Sequence, residues 1–289
     1  ALIAGDQLNL RCHEQKRRYG IDFLYPTRRY VNALSKTWLC PSRADLDPDA
    51  CAEADRVPNP LFHGSTRTPD LVFFAGIVGV PWQDIATTAT LTQPGELDYM
   101  SARELHDSGR WAWITPTNGS PPSDPLMQEP TEPRQGSHPS GDPALARAAP
   151  ESPAGTNAAN GHEWRPRDID GGNPNNSGDL QYACTFPLAQ QESCAGDLLC
   201  DCYGAGQAGY SQNKPLCQTA AGYSDTQVAA KGYPGLRQLE VLRDFGDNSI
   251  VASICPKVLD DEVADYGYNP AVDAIVDLLA DVLGGRCLP

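Results

Sequence analysis

Two acidic stretches of the chain have the composition of calcium-binding loops. The candidate ligands are Asp45, Asp47 and Asp49 in the first stretch, and Asp168, Asp170, Asn173, Asn175 and Asp179 in the second. Calcium takes about six to eight oxygen ligands from loops of this kind, but neither stretch has the glycine and glutamate positions of an EF-hand loop. We therefore expect either bound calcium or ordinary acidic turns. No nucleotide cofactor is expected, because the glycine-rich phosphate motifs do not occur.

Residues that carry out hydrolysis are present, but they form no recognised motif. The G-x-S-x-G elbow of serine hydrolases and the H-E-x-x-H helix of zinc proteases are both absent. His162 precedes Glu163, a pair that can act as acid and base, although a locally hydrogen-bonded loop histidine is the simpler interpretation. A hydrolase would need a site assembled from scattered Ser, His and Asp residues. In that case, His106 or His162 should lie near both a serine and a carboxylate.

The ten cysteines indicate a disulfide framework. They are Cys12, Cys40, Cys51, Cys184, Cys194, Cys200, Cys202, Cys217, Cys255 and Cys287. An even number of this size is typical of an oxidising compartment, so we expect a secreted or cell-surface protein. The alternative of a structural metal is weaker, because Cys200 and Cys202 are too close in sequence for a zinc pair. The spacing favours bridges between Cys40 and Cys51 and between Cys255 and Cys287.

The charge of the chain excludes some classes of partner. Its 37 acidic and 22 basic residues give a net charge of -15, which repels nucleic acid and anionic lipid. No run of 18 apolar residues is present, so no membrane span is expected. Most of the charged residues in 1–43 are basic, whereas residues 258–285 include seven acids and no base. These segments form either two solvated faces or two mutually attracting ends.

Strands and helices alternate along the chain. Residues 71–80 are apolar throughout and predict a strand buried on both faces, as in a parallel sheet covered by helices. Residues 249–255 predict a second, shorter buried strand. Helices are expected at 25–36, 99–107 and 234–245. This alternation predicts an α/β fold with a doubly wound, mostly parallel sheet.

The last helix has the strongest signals. Asn269 is placed to cap it, Pro270 occupies its first position, and two glycines follow its end. The sequence predicts a buried apolar face made by Val272, Ile275, Val276, Leu279, Val282 and Leu283. It predicts a solvent face made by Asp273, Asp277 and Asp281.

Composition divides the chain into three parts. Residues 1–114 and 234–289 contain the predicted strands and helices of the α/β core. Residues 115–233 are rich in Pro, Gly and Ser and then in cysteine, which predicts a long irregular insert held by disulfides.

Several phrases resemble one family. They are LNLRC (8–12), YPTRRYVNAL (25–34), LVFFAGIVGVP (71–81), DPLM (124–127), NGHEW (160–164), DLQYACTFPL (179–188), CDC (200–202), KPLC (214–217), YPGLRQLEVL (233–242), SIVASICP (249–256) and the segment 266–289. Together they resemble exported, cysteine-rich bacterial proteins with a von Willebrand factor A-like domain.

The resemblance implies a doubly wound α/β fold that works in adhesion or ligand binding, often through a metal held by a D-x-S-x-S motif. This sequence has no such motif, and the similarity begins after the part of the domain that contains it. No metal ligand is therefore transferred. We expect an extracellular binding or adhesion protein with a protein or glycan ligand at the cell surface. The alternatives are an extracellular hydrolase and a structural module of an assembly.

Overall fold

The structure is a computed structural model that describes residues 10–43, 47–129, 138–142, 145, 180–197, 200–204 and 215–284. The chain divides into two compact units. The cysteine-rich unit consists of Ala1–Phe23, Gly79–Pro81 and Pro122–Pro234. The α/β unit consists of Leu24–Val78, Trp82–Pro121 and Gly235–Pro289.

Elements are numbered in chain order over both units. The α/β unit contains helices α2 (Arg28–Ser35), α3 (Trp82–Ile85), α4 (Ala102–Asp107), α5 (Trp111–Ile114), α6 (Leu236–Phe245) and α7 (Asn269–Gly284), and strands β1 (Trp38–Leu39), β2 (Val57–Pro58), β3 (Phe74–Val78) and β8 (Ser249–Ser253). The cysteine-rich unit contains helix α1 (Arg11–Tyr19) and strands β4 (Cys184–Ser193), β5 (Gln218–Thr219), β6 (Gly222–Tyr223) and β7 (Thr226–Gly232).

A parallel strand pair forms the centre of the α/β unit. β3 and β8 run in register from Phe74 opposite Ser249 to Val78 opposite Ser253. α6 packs on both strands, and the absence of a side chain at Gly76 makes room for it. A Cβ atom at Gly76 would lie 2.7 Å from Leu242 Cδ1. The predicted mixture of helices and strands with parallel pairing is therefore confirmed. The described strands form four two-stranded sheets, of which this one is parallel, so the doubly wound, mostly parallel sheet stays a prediction.

The structure corrects the prediction for β3. Its burial alternates between half-buried and exposed positions, and Ile77 is 43% exposed, so the strand is not buried on both faces. Among the described residues, β3 has one strand neighbour, which is β8. β8 is buried along its whole length, as predicted.

The predicted helices of the α/β unit form. α4 begins with a capping box, in which Ser101 Oγ accepts the N–H of Glu104 and the Glu104 carboxylate accepts the N–H of Ser101. α6 ends at Gly246, whose φ of 84° only glycine adopts readily. Asn269 and Pro270 mark the start of α7, as the sequence indicated.

The cysteine-rich unit has more regular structure than its sequence predicted. β4 and β7 pair antiparallel, with a register shift between Pro187 and Glu192, and β5 and β6 form a second antiparallel pair. Its core contains Tyr182, Leu216, Cys194, Cys202 and Cys217. Half-cystines thus supply much of the buried apolar surface of this unit.

Eight of the described cysteines are disulfide-bonded. The predicted bridge between Cys40 and Cys51 is present, and Cys194 pairs with Cys200 and Cys202 with Cys217. Cys184 and Cys255 are also disulfide-bonded. Cys12 is a free, exposed thiol, and Cys287 lies outside the described residues, as does the predicted bridge from it to Cys255. These bonds are consistent with an oxidising compartment.

Within the described part of the chain, none of the helices has the length and apolar character needed to cross a membrane.

Candidate functional site

The two described carboxylates of the first predicted calcium loop, Asp47 and Asp49, pair with basic side chains from outside the loop. Asp47 accepts the N–H of Asp49 at 3.1 Å and pairs with Lys36 at 3.0 Å and Arg28 at 3.7 Å. The Asp49 hydrogen bond, followed by the Lys36 contact, lowers the pKa of Asp47. Asp49 itself is exposed and points toward Arg56. The two carboxylates therefore face different basic side chains.

The remaining predicted ligands cannot be placed. Asp45 lies outside the described residues, as do Asp168, Asp170 and Asp179 of the second loop.

The predicted histidines form no serine-containing group in the described part of the chain. His106 is exposed, and its Nδ1 lies 3.1 Å from the neighbouring Asp107 carboxylate. His162 lies outside the described residues.

A different histidine, His138, contacts a serine in the cysteine-rich unit. Its Nδ1 lies 2.7 Å from Ser140 Oγ and accepts the N–H of Ser140 at 3.2 Å. Ser140 Oγ accepts the N–H of Asp142 at 3.1 Å. Because a backbone N–H only donates, Nδ1 is an acceptor, and the neutral ring carries its proton on Nε2.

The carboxylate of Asp124 lies near the same ring. One of its oxygens is within 4.8 Å of a ring nitrogen of His138, and the two side chains are only 1% and 7% exposed. Ser140 is exposed. Asp124 also accepts the N–H of Leu126 at 3.1 Å and so caps the short turn Pro125–Met127. The order of exposed hydroxyl, buried imidazole and buried carboxylate is the one used to activate a nucleophile.

A signal for this group was present in the sequence. The segment His138-Pro139-Ser140-Gly141-Asp142 places polar side chains two residues apart around a Pro-Ser-Gly turn. Side chains in such turns commonly bond to the backbone two residues ahead. Nothing in this segment indicates that Asp124 lies near His138.

Lys231 is a half-buried amine in the cysteine-rich unit. Its Nζ lies 3.1 Å from the Asp201 carboxylate and about 5 Å from the centres of the Tyr182 and Tyr233 rings (5.4 and 5.3 Å). Burial lowers its pKa to about 7, against the opposing attraction of Asp201. Asp201 lies between the Cys194–Cys200 and Cys202–Cys217 bridges, so this pair joins β7 to the disulfide-bonded segment.

Lys257 occupies a ring of carbonyl groups in the α/β unit. Its Nζ donates to the backbone oxygens of Thr90, Gln93 and Glu96 at 2.6 to 2.7 Å and lies 4.9 Å from the centre of the Trp82 ring. This ammonium group thus holds a loop in the way that a bound cation would. Desolvation lowers the pKa of Lys257.

The solvent-exposed side of α7 is the largest departure from the sequence prediction. Val272 and Val276, predicted to be buried, are 54% and 55% exposed, whereas Ala271 is buried. The inward positions of the helix are Ala271, Ala274, Ile275, Leu278 and Leu279, all buried or half-buried. The apolar face of α7 is therefore wider than the part of it that the rest of the unit covers.

Two parallel rows of side chains result, which we call the α7 patch. The apolar row consists of Tyr268, Val272 and Val276, and the acidic row consists of Asp273, Asp277 and Asp281. All six side chains are exposed. Residues four apart on a helix are neighbours, so each row is continuous along the helix.

None of the protein-family models, curated proteins or solved structures compared with the chain matches it.

Proposed function

We propose that the chain is an extracellular binding protein with a von Willebrand A-like α/β fold. The observation that carries this proposal is the α7 patch. Exposed apolar rows bordered by charged residues are typical of protein-interaction surfaces. The disulfides and the parallel β3–β8 pair crossed by α6 support the extracellular and α/β parts of the proposal.

Site-specific photocrosslinking tests this function. A benzophenone amino acid replaces Val272 in the patch or, as a control, exposed Ala52 elsewhere in the same unit. We expect a discrete adduct with a protein of the producing cell from position 272 only. An excess of unlabelled wild-type protein should prevent formation of this adduct, whereas an excess of the Val276→Ser variant should not. The proposal is wrong if position 272 gives no adduct or gives the same adducts as position 52.

The alternative of a hydrolase is favoured by the His138–Ser140 contact. In that role Oγ of Ser140 would attack an acyl carbon while its proton passes to Nδ1 of His138, which would then give that proton to the departing alcohol or amine. Water would release the acyl group from Ser140 by the same route. We rank it second, because the turn around Ser140 and the cap made by Asp124 account for these hydrogen bonds without chemistry. A fluorophosphonate probe distinguishes the two functions. If the chain is a hydrolase, the probe labels Ser140 of the wild-type protein and does not label the Ser140→Ala variant. If it is a binding protein, the probe labels neither protein.

A further inference from the structure

We infer that the α7 patch binds a cationic amphipathic helix of a partner protein. This inference rests on the proposed binding function and adds to it the class of partner. It is carried by the arrangement of two exposed rows, one apolar and one acidic, that lie side by side along α7 and begin at the residue just before it.

The spacing of the rows favours a helical partner. The backbone N–H of Val272 donates to the carbonyl of Tyr268 at 3.2 Å. The four-residue spacing of the apolar row therefore begins at Tyr268, just before α7. Val276 continues the apolar row and Asp273 and Asp277 run beside it. Helix pairs bury rows of this spacing against each other, and charges at the edge of the seam select the partner.

The charge around the patch specifies the sign of the partner. The segment 258–285 contains seven acids and no Lys or Arg. The preceding base, Lys257, already donates to three carbonyl groups. A partner that covers Val272 and Val276 must therefore approach Asp273 and Asp277, which favours Lys or Arg beside its apolar row.

The same charges argue against other occupants. An antiparallel pair of two copies would bring the two acidic rows together at one edge of the seam, and a pair in either direction would join two chains that each carry a net charge of -15. An anionic membrane surface or a nucleic acid would be repelled for the same reason. A basic amphipathic helix matches both rows, because its apolar face can cover Val272 and Val276 while its basic side chains meet the acidic row.

Peptide titration tests the inference. The probe is a fluorescent helical peptide with leucines at four-residue spacing beside a row of lysines, and its control replaces every lysine by glutamate. We expect the cationic peptide to bind in the micromolar range at low salt and the anionic one not to bind. Binding should weaken at least tenfold in the Val272→Ser/Val276→Ser and Asp273→Asn/Asp277→Asn variants.

A matched control separates this surface from general attraction to an acidic protein. The variant Asp260→Asn/Asp261→Asn removes two exposed charges outside the patch and should bind the cationic peptide within about twofold of wild type. Equal losses in both acidic variants, or equal binding of both peptides, would overturn the inference. So would self-association of the wild-type chain that is abolished by Val276→Ser, since a second copy would then be the occupant.

The result can be read separately from that for the proposed function. If the photocrosslink from position 272 forms but the cationic peptide does not bind, the binding function stands and the class of partner is wrong. If neither occurs, both proposals fail.

Discussion

The hydroxyl of Tyr268 donates a 2.9 Å hydrogen bond to the backbone oxygen of Ile254, just after β8 ends. This bond fixes the start of α7 against the end of the central strand pair. Together with the inward packing of Ala271 and Ile275, it holds the helix in the orientation in which Val272 and Val276 face solvent.

Removing this hydroxyl should loosen the start of α7. We expect Tyr268→Phe to lower the free energy of unfolding by about 1 kcal/mol, the usual contribution of one hydrogen bond. Hydrogen exchange measured by mass spectrometry should rise in the first turns of α7 and stay unchanged in α6. Unchanged exchange in α7 would show that the bond does not position the helix.

Replacing Lys257 should destabilise the loop that its ammonium group holds. In Lys257→Met, three carbonyl groups lose a charged donor, and we expect a loss of about 1–3 kcal/mol in urea denaturation. The matched control is Lys36→Met, which removes a surface ion pair with Asp47 and should cost less than about 1 kcal/mol. Equal effects of the two substitutions would contradict the role assigned to Lys257.

Lys231 should make the stability of the protein depend on pH. Its pKa of about 7 in the folded state is below the value of about 10.4 for an unfolded chain, so between these values the unfolded state binds more protons. The free energy of unfolding should therefore rise as pH increases from 7 to about 9.5, by on the order of 2 kcal/mol.

The variant Lys231→Met supplies the control for this pH effect, since it should remove most of the rise. Tyr99 interferes little, because burial raises its pKa to about 12 and its contribution changes mainly above about pH 9.5, where an unfolded tyrosine ionises. A wild-type stability that is flat or falls over this range would show that the attraction of Asp201 outweighs burial.

The free cysteine and the disulfide-bonded cysteines should differ sharply in their reactivity with iodoacetamide. In the folded protein, iodoacetamide should label Cys12, whereas proteolytic mapping should recover Cys40 linked to Cys51 and Cys202 linked to Cys217. Removing the first bridge with Cys40→Ala/Cys51→Ala should cost about 2–3 kcal/mol, because it closes a short loop. Labelling of Cys40 or Cys51 without denaturant would contradict the disulfide framework.

The sequence was informative where a local signal decides the structure. The glycine after α6 and the Asn-Pro start of α7 each act within one turn of helix, so the limits of these elements could be predicted. The bridge between Cys40 and Cys51 followed in the same way from a short spacing between two cysteines.

Distant pairing was beyond the reach of the sequence pattern. β4 contains Pro187 and a largely polar second half, so it has no clear strand period, and its partner β7 lies more than 30 residues away. The exposure of Val272 is similar, because an amphipathic pattern shows which face of a helix is apolar but not how much of it the fold covers.

The most direct test of this account is hydroxyl-radical footprinting of α7 in the free, folded protein. We predict that Val272 and Val276 are oxidised at rates normal for exposed side chains of their type, with Tyr25 as the exposed reference and Leu239 as the buried one. Adding the cationic peptide should protect both valines. Protection of Val272 and Val276 in the free protein, to the level of Leu239, would contradict the account.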